Sequence, residues 1–166
     1  MQKVFSDLEG LRIAVEMERR GEDFYRRAAK VGRSEEMVSL LKSLANDEIN
    51  HGREFQRLAD RAMAADADEG VYDDETSAVL TAIAADIAFP GGLMALRRSG
   101  FNDPVAVLAS AIQSEKDSIL FYTELANCTK SAEHRAIFLE IARQERGHLA
   151  RLLNKLNALS ADEQKG

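Results

Sequence analysis

The sequence is poor in the features that staple a chain, span a bilayer or bind polyanions. Its single cysteine, Cys128, excludes a disulfide framework and any four-cysteine zinc or rubredoxin-type iron site within these 166 residues. It has no long apolar run: the longest, 78–89, is broken by Thr81 and Asp86, and is too short and too polar to cross a membrane. No charged-then-apolar leader begins it, so a cytoplasmic, reducing setting without a membrane partner is expected. Excess positive charge is missing too. The net charge of −6 argues against nucleic-acid or anionic-membrane partners, and leaves Arg19-Arg20, Arg26-Arg27 and Arg97-Arg98 as solvated helix faces. Nor does any segment show the alternation of a strand.

What remains is helix. Ser6 with Glu9 forms a capping box for a helix running to about Lys30, where Gly32 ends it. Ser34 caps a second, to about Ala65. Asn102 or Asp103 before Pro104 opens a third that ends near Cys128, and Ser131 caps a fourth that reaches about Leu159. The polar tail 160–166 is expected to fray. Between the second and third helices lies a crossover of about 37 residues, 66–102. In it, 73–89 predicts a shorter fifth helix with Val79, Leu80, Ile83 and Ile87 on one face, stopped by Pro90-Gly91-Gly92. That helix alone covers about 25 Å at 1.5 Å per residue, enough to run back along a bundle. An all-α bundle of two antiparallel hairpins joined by a long crossover follows, within one domain spanning 1–166.

The halves are copies. Glu18, Phe24, Tyr25, Glu48 and His51 recur 97 residues later as Glu115, Phe121, Tyr122, Glu145 and His148. Leu11, Ala14, Val15, Leu44 and Ala45 recur at that offset as Leu108, Ala111, Ile112, Ile141 and Ala142, so 6–63 and 103–160 form an internal repeat. Cys128 matches Val31, which makes it a small hydrophobe rather than a reactive thiol. Each half carries a lone glutamate on one helix and Glu-x-x-His on the next.

At heptad spacing, one seam of each helix is apolar except at one level. The seams read Leu11, Ala14, Glu18, Gly21, Tyr25, Ala28; Leu41, Leu44, Glu48, His51, Phe55, Leu58, Ala62; Leu108, Ala111, Glu115, Ser118, Tyr122, Leu125; and Phe138, Ile141, Glu145, His148, Leu152. Residues three apart share a helix face, so each Glu-x-x-His pair points one way. Four carboxylates in a core with no lysine or arginine on the seam would repel one another, and burying even one unpaired charge costs several kcal/mol. Two divalent cations would cancel the four charges. Glu18, Glu48, His51, Glu115, Glu145 and His148 are therefore the expected metal ligands, against the blander alternative of a solvated or hydrogen-bonded cluster. The small Gly21 and Ser118 would leave room for an ion, a water or an oxidant. Tyr25 and Tyr122 lie on the line of the lone glutamates, where they pack and orient ligands by hydrogen bonds. His134, matching Met37, is expected at the surface, and Glu16, matching Gln113, in solvent.

The run 16–25, Glu-Met-Glu-Arg-Arg-Gly-Glu-Asp-Phe-Tyr, together with the two Glu-x-x-His motifs, resembles the rubrerythrin branch of the ferritin-like superfamily across all four main helices. The ligand set is the one described for di-iron and di-manganese carboxylate bundles. The resemblance implies a ferritin-like four-helix bundle in which Glu18 and Glu115 are the single-helix carboxylates, Glu48 and Glu145 bridge the ions, and His51 and His148 each complete one ion's shell. Two departures stand out. The rubredoxin-like module is missing, and Ile112 stands where rubrerythrins carry an extra glutamate, which leaves a symmetric six-ligand site closer to that of bacterioferritin.

Oxygen and imidazole donors suit iron or manganese, and zinc could replace either during purification. Two such ions can act on both oxygens of O₂ or peroxide. The expected function is that of an oxidoreductase in oxidative-stress defence, which reduces H₂O₂ or O₂ with electrons from an external donor. The alternatives are ferroxidase and iron storage in a multimeric cage, or a metal-binding bundle without turnover. Met94, Leu96 and Phe101, taken as exposed on the crossover, suggest a homodimer or higher homo-oligomer.

Overall fold

A computed structural model describes residues 5–65, 72–88 and 100–163. Its described residues form five helices and no strand: α1 (Asp7–Val31), α2 (Glu35–Ala64), α3 (Asp74–Ala88), α4 (Pro104–Cys128) and α5 (Ala132–Glu163). The caps are those the sequence announces. Ser6 Oγ accepts from Glu9 N, Ser34 Oγ from Met37 N, Asp103 Oδ1 from Val105 N and Ala106 N, and Ser131 Oγ from His134 N. These bonds satisfy donors that a helix start leaves orphaned. α5 runs four residues past the expected end at Leu159.

Short turns fold α1 onto α2 and α4 onto α5 as two hairpins, which then pack together. Contacts between the hairpins fix their direction. Between α2 and α5, Arg61 pairs with Glu133, Gln144 with His51, and Lys155 with Glu36, so the two helices run antiparallel. α3 lies against α4. Every expected seam residue is buried except Gly21 and Ser118, which are half-buried. The apolar seam residues form two clusters, one around Phe55, Tyr122, Leu125 and Phe138, the other around Leu41, Leu44, Leu108 and Leu152. Burial of these large side chains supplies the favourable part of folding, about 1.5–3 kcal/mol for each.

Three expectations fail locally. On α3, Leu80 is buried and Ile83 packs beside it, but Val79 is exposed, because the helix seats Leu80 and Ser77 rather than Val79 against the bundle. Phe101 is not an exposed patch. It is half-buried, with its ring 5.7 Å from that of Phe24. Phe89, Pro90-Gly91-Gly92, Met94, Leu96 and Arg97-Arg98 lie outside the described residues. His134 is buried, not on the surface. Its Nδ1 donates to Asp7 Oδ2 at 2.7 Å, and Asp7 also accepts from Thr129 Oγ1 and the Tyr72 hydroxyl. Ser77 Oγ accepts from Phe5 N at 3.2 Å and donates to the Tyr72 carbonyl at 3.3 Å. This second polar cluster ties the start of α1 and the lead-in to α3 to the turn between α4 and α5. Glu16 remains at the surface, gripped by Arg19 and Arg20, while Arg26 and Arg27 pair with Glu22 and Asp23 on exposed faces.

Candidate metal centre

At one level of the bundle the apolar seam gives way to polar groups. α1 supplies Glu18, α2 Glu48 and His51, α4 Glu115, and α5 Glu145 and His148, all buried. His51 Nδ1 lies 2.9 Å from Glu145 Oε1 and 3.5 Å from Glu18 Oε2. His148 Nδ1 lies 2.8 Å from Glu145 Oε2, 3.4 Å from Glu48 Oε1 and 3.7 Å from Glu115 Oε1. The imidazoles stack with centroids 5.6 Å apart. The six side chains make two overlapping quartets, Glu18, Glu48, His51, Glu145 and Glu48, Glu115, Glu145, His148, and within each the ligand-type atoms lie within 4.8 Å of one another. Glu48 and Glu145 belong to both, as bridging carboxylates would.

The short distances are not hydrogen bonds. Glu18 Oε2, Glu48 Oε1, both carboxylate oxygens of Glu145 and the Nδ1 of each histidine are buried with no hydrogen-bond partner. An unsatisfied buried polar atom costs about 1–3 kcal/mol, so native cores rarely keep one. Six converge on one place, and all are atoms of types that could hold a metal ion.

The outer atoms of these side chains are occupied. His51 Nε2 lies 2.9 Å from Gln144 Oε1, whose amide nitrogen donates to Glu140 Oε1 at 2.9 Å and so fixes which end of the amide faces the ring. His148 Nε2 lies 3.2 Å from Asp47 Oδ2. Both partners are acceptors, so each ring donates from Nε2, and Nδ1 is the nitrogen whose lone pair would face a cation once its own proton is displaced. Tyr25 donates to Glu115 Oε1 and Tyr122 to Glu18 Oε1. Each tyrosine thus holds the lone glutamate of the other half, not its own, because α1 and α4 run antiparallel and bring Tyr25 level with Glu115. A Cβ on Gly21 would sit 2.8 Å from Glu48 Oε2, so only glycine leaves that carboxylate its place.

Protonation follows from crowding. Burial, then repulsion from Glu18, Glu145 and Glu115, pushes Glu48 well above the ordinary carboxylate range. Burial likewise raises Glu115 against the pull of His148. Burial disfavours charged imidazoles, yet Glu145 with Glu18 raises His51, and Glu115 with Glu145 raises His148. Without cations the cluster therefore holds protons, which arriving metal ions would displace.

Sequence reasoning found all six converging side chains and both tyrosines. It missed Asp47 and Gln144, although both immediately precede the glutamate of a Glu-x-x-His motif and are related by the same 97-residue offset. Their differing types hid the correspondence.

The Rubrerythrin family model matches residues 106–165, which is nearly all of α4 and α5. No curated protein matches the sequence. Among solved structures, a Thermotoga maritima protein assigned as a ferritin-like diiron-carboxylate protein superposes with a TM-score of 0.70 at 24% identity, covering 95% of this chain and 98% of that one. A hypothetical protein from Pyrococcus furiosus gives 0.68 at 19% identity, covering 95% and 92%. The chain has the ferritin-like fold, and its second hairpin resembles rubrerythrin.

Proposed function

We propose that Glu18, Glu48, His51, Glu115, Glu145 and His148 hold two iron or manganese ions, and that the protein reduces H₂O₂ or O₂ with electrons from a separate donor. The observation that carries this is two buried quartets of ligand-type side chains sharing Glu48 and Glu145, within which six atoms of Glu18, Glu48, His51, Glu145 and His148 have no hydrogen-bond partner. A bound pair of such ions would supply electrons to both oxygens of the substrate. The chain's own part is preparation. Asp47 and Gln144 hold the Nε2 protons, leaving Nδ1 free to bind. Burial and the neighbouring carboxylates hold the Tyr25 and Tyr122 phenols well above their ordinary range, so both stay protonated and orient Glu115 and Glu18 as donors. The Phe55, Tyr122 and Phe138 rings, with Phe55 centroids 4.9 and 5.8 Å from the other two, keep bulk water from one side of the site. Leu44 and Leu108 line the seam on the other.

The test is metal analysis of protein from iron-replete growth, then anaerobic reduction and titration with peroxide. Two ions per chain and a visible-spectrum change that returns on re-reduction are expected. Metal without any spectral response to peroxide would reduce the proposal to a metal-holding bundle. A closed multimeric cage that takes up excess Fe(II) would favour storage.

A further inference from the structure

The two halves match at every ligand but not at the residue behind each histidine. His148 Nε2 faces the carboxylate of Asp47 at 3.2 Å, and Arg151 Nη1 is 3.8 Å from that same carboxylate. His51 Nε2 faces the neutral amide of Gln144. On that side the nearest carboxylate, Glu140, lies behind the amide and is neutralised by Arg143 at 2.7 and 3.0 Å. A carboxylate accepting the ring N–H draws the imidazole toward imidazolate and makes Nδ1 a stronger donor; an amide does so far less.

On the proposal that the cluster holds two ions, we infer that those ions are not equivalent. The quartet of Glu48, Glu115, Glu145 and His148 is the tighter site and fills first, and the quartet of Glu18, Glu48, His51 and Glu145 is the weaker, exchangeable one. Asp47 and Gln144 act as positioning residues, since neither faces the ions. Outer partners of this kind change metal affinity by about 10–100-fold.

Co(II) is the probe, titrated into metal-free protein at fixed neutral pH and followed by calorimetry and by its visible bands. Wild type should bind two ions in two steps at least about tenfold apart. Asp47→Asn should weaken the first step by about tenfold and leave the second, narrowing the gap, whereas Gln144→Ala should weaken the second and widen it. With one Co(II) bound, a single exchangeable imidazole N–H should show a hyperfine-shifted proton resonance that moves in Asp47→Asn and not in Gln144→Ala. A loss of packing alone would move neither resonance nor one step selectively, and metal-free thermal midpoints matching wild type verify that both variants fold. Two equal affinities in wild type, or Asp47→Asn weakening the second step or both alike, overturns the inference and leaves the two-ion centre standing. Failure to bind Co(II) at all overturns the centre and the inference with it.

Discussion

The bundle buries two polar clusters, and they are built on opposite principles. Around Asp7, every acceptor meets a donor: Tyr72, Thr129 and His134 converge on one carboxylate, and Ser131 N closes on Thr129 Oγ1 at 3.1 Å. Around Glu145, four carboxylate oxygens and two imidazole Nδ1 atoms converge without a hydrogen-bond partner. The first cluster is complete as the chain folds and fastens the crossover to the bundle. The second leaves six buried polar atoms unpartnered, and that difference separates a candidate site from a structural network. Satisfied polar groups specify a fold, whereas converging unsatisfied ones call for a ligand.

The contrast breaks most sharply under carboxylate removal. Asp7→Ala removes the buried carboxylate on which Tyr72, Thr129 and His134 converge and should destabilise the metal-free protein by about 3–5 kcal/mol, read from denaturant unfolding. Glu48→Gln puts a neutral amide where burial and repulsion already keep the carboxyl protonated, so the metal-free protein should lose little stability or gain some. Equal losses for the two variants would abolish the distinction. For metal the ranking reverses. Glu48→Ala and His148→Ala should each lose at least one ion per chain by elemental analysis, while Asp7→Ala that still folds keeps both.

Gly21→Ala sharpens the comparison within the site. In a helix interior, alanine in place of glycine is favourable by about 0.8–1 kcal/mol. Here its methyl would press on Glu48 Oε2, and the crowding falls on a carboxylate shared by both quartets. Metal-free stability should hold or rise while affinity for both ions falls. A variant that binds as wild type would mean that Glu48 moves aside at no cost.

How much of this the sequence disclosed depends on range and period. The helices, their caps, the seams and the six site residues were legible because each rests on a local signal, a Ser or Asp cap or a three- or four-residue spacing, and the repeat states each signal twice. The partners of the tyrosines were not. Tyr25 stands in line with Glu18 along α1, and only the antiparallel packing of α4 turns it to Glu115. The Asp7 cluster was invisible, since His134 lies 127 residues from Asp7 and a histidine at a polar helix start carries no mark of burial. Val79 was misplaced for a related reason. α3 is apolar on more than one side, so periodicity alone does not choose the face that meets α4.

The smallest effect expected is also the one that separates the clusters by pH. Burial pushes the Asp7 carboxyl up, but hydrogen bonds from His134, Thr129 and Tyr72 outweigh it and hold the group below its ordinary 3.8. A depressed folded-state value means that the unfolded chain takes the proton first as pH falls. The stability this contributes is therefore fully present above about pH 4 and is lost as pH drops through the folded value. Asp7→Asn keeps an acceptor oxygen but cannot titrate. Compared in the metal-free state, where the glutamate cluster is common to both proteins, wild type should start more stable at pH 7 and lose its advantage below pH 4. A constant difference between the two from pH 7 to pH 3 would show that Asp7 is not charged in the fold, and the satisfied cluster would then be a neutral network rather than a carboxylate held by its donors.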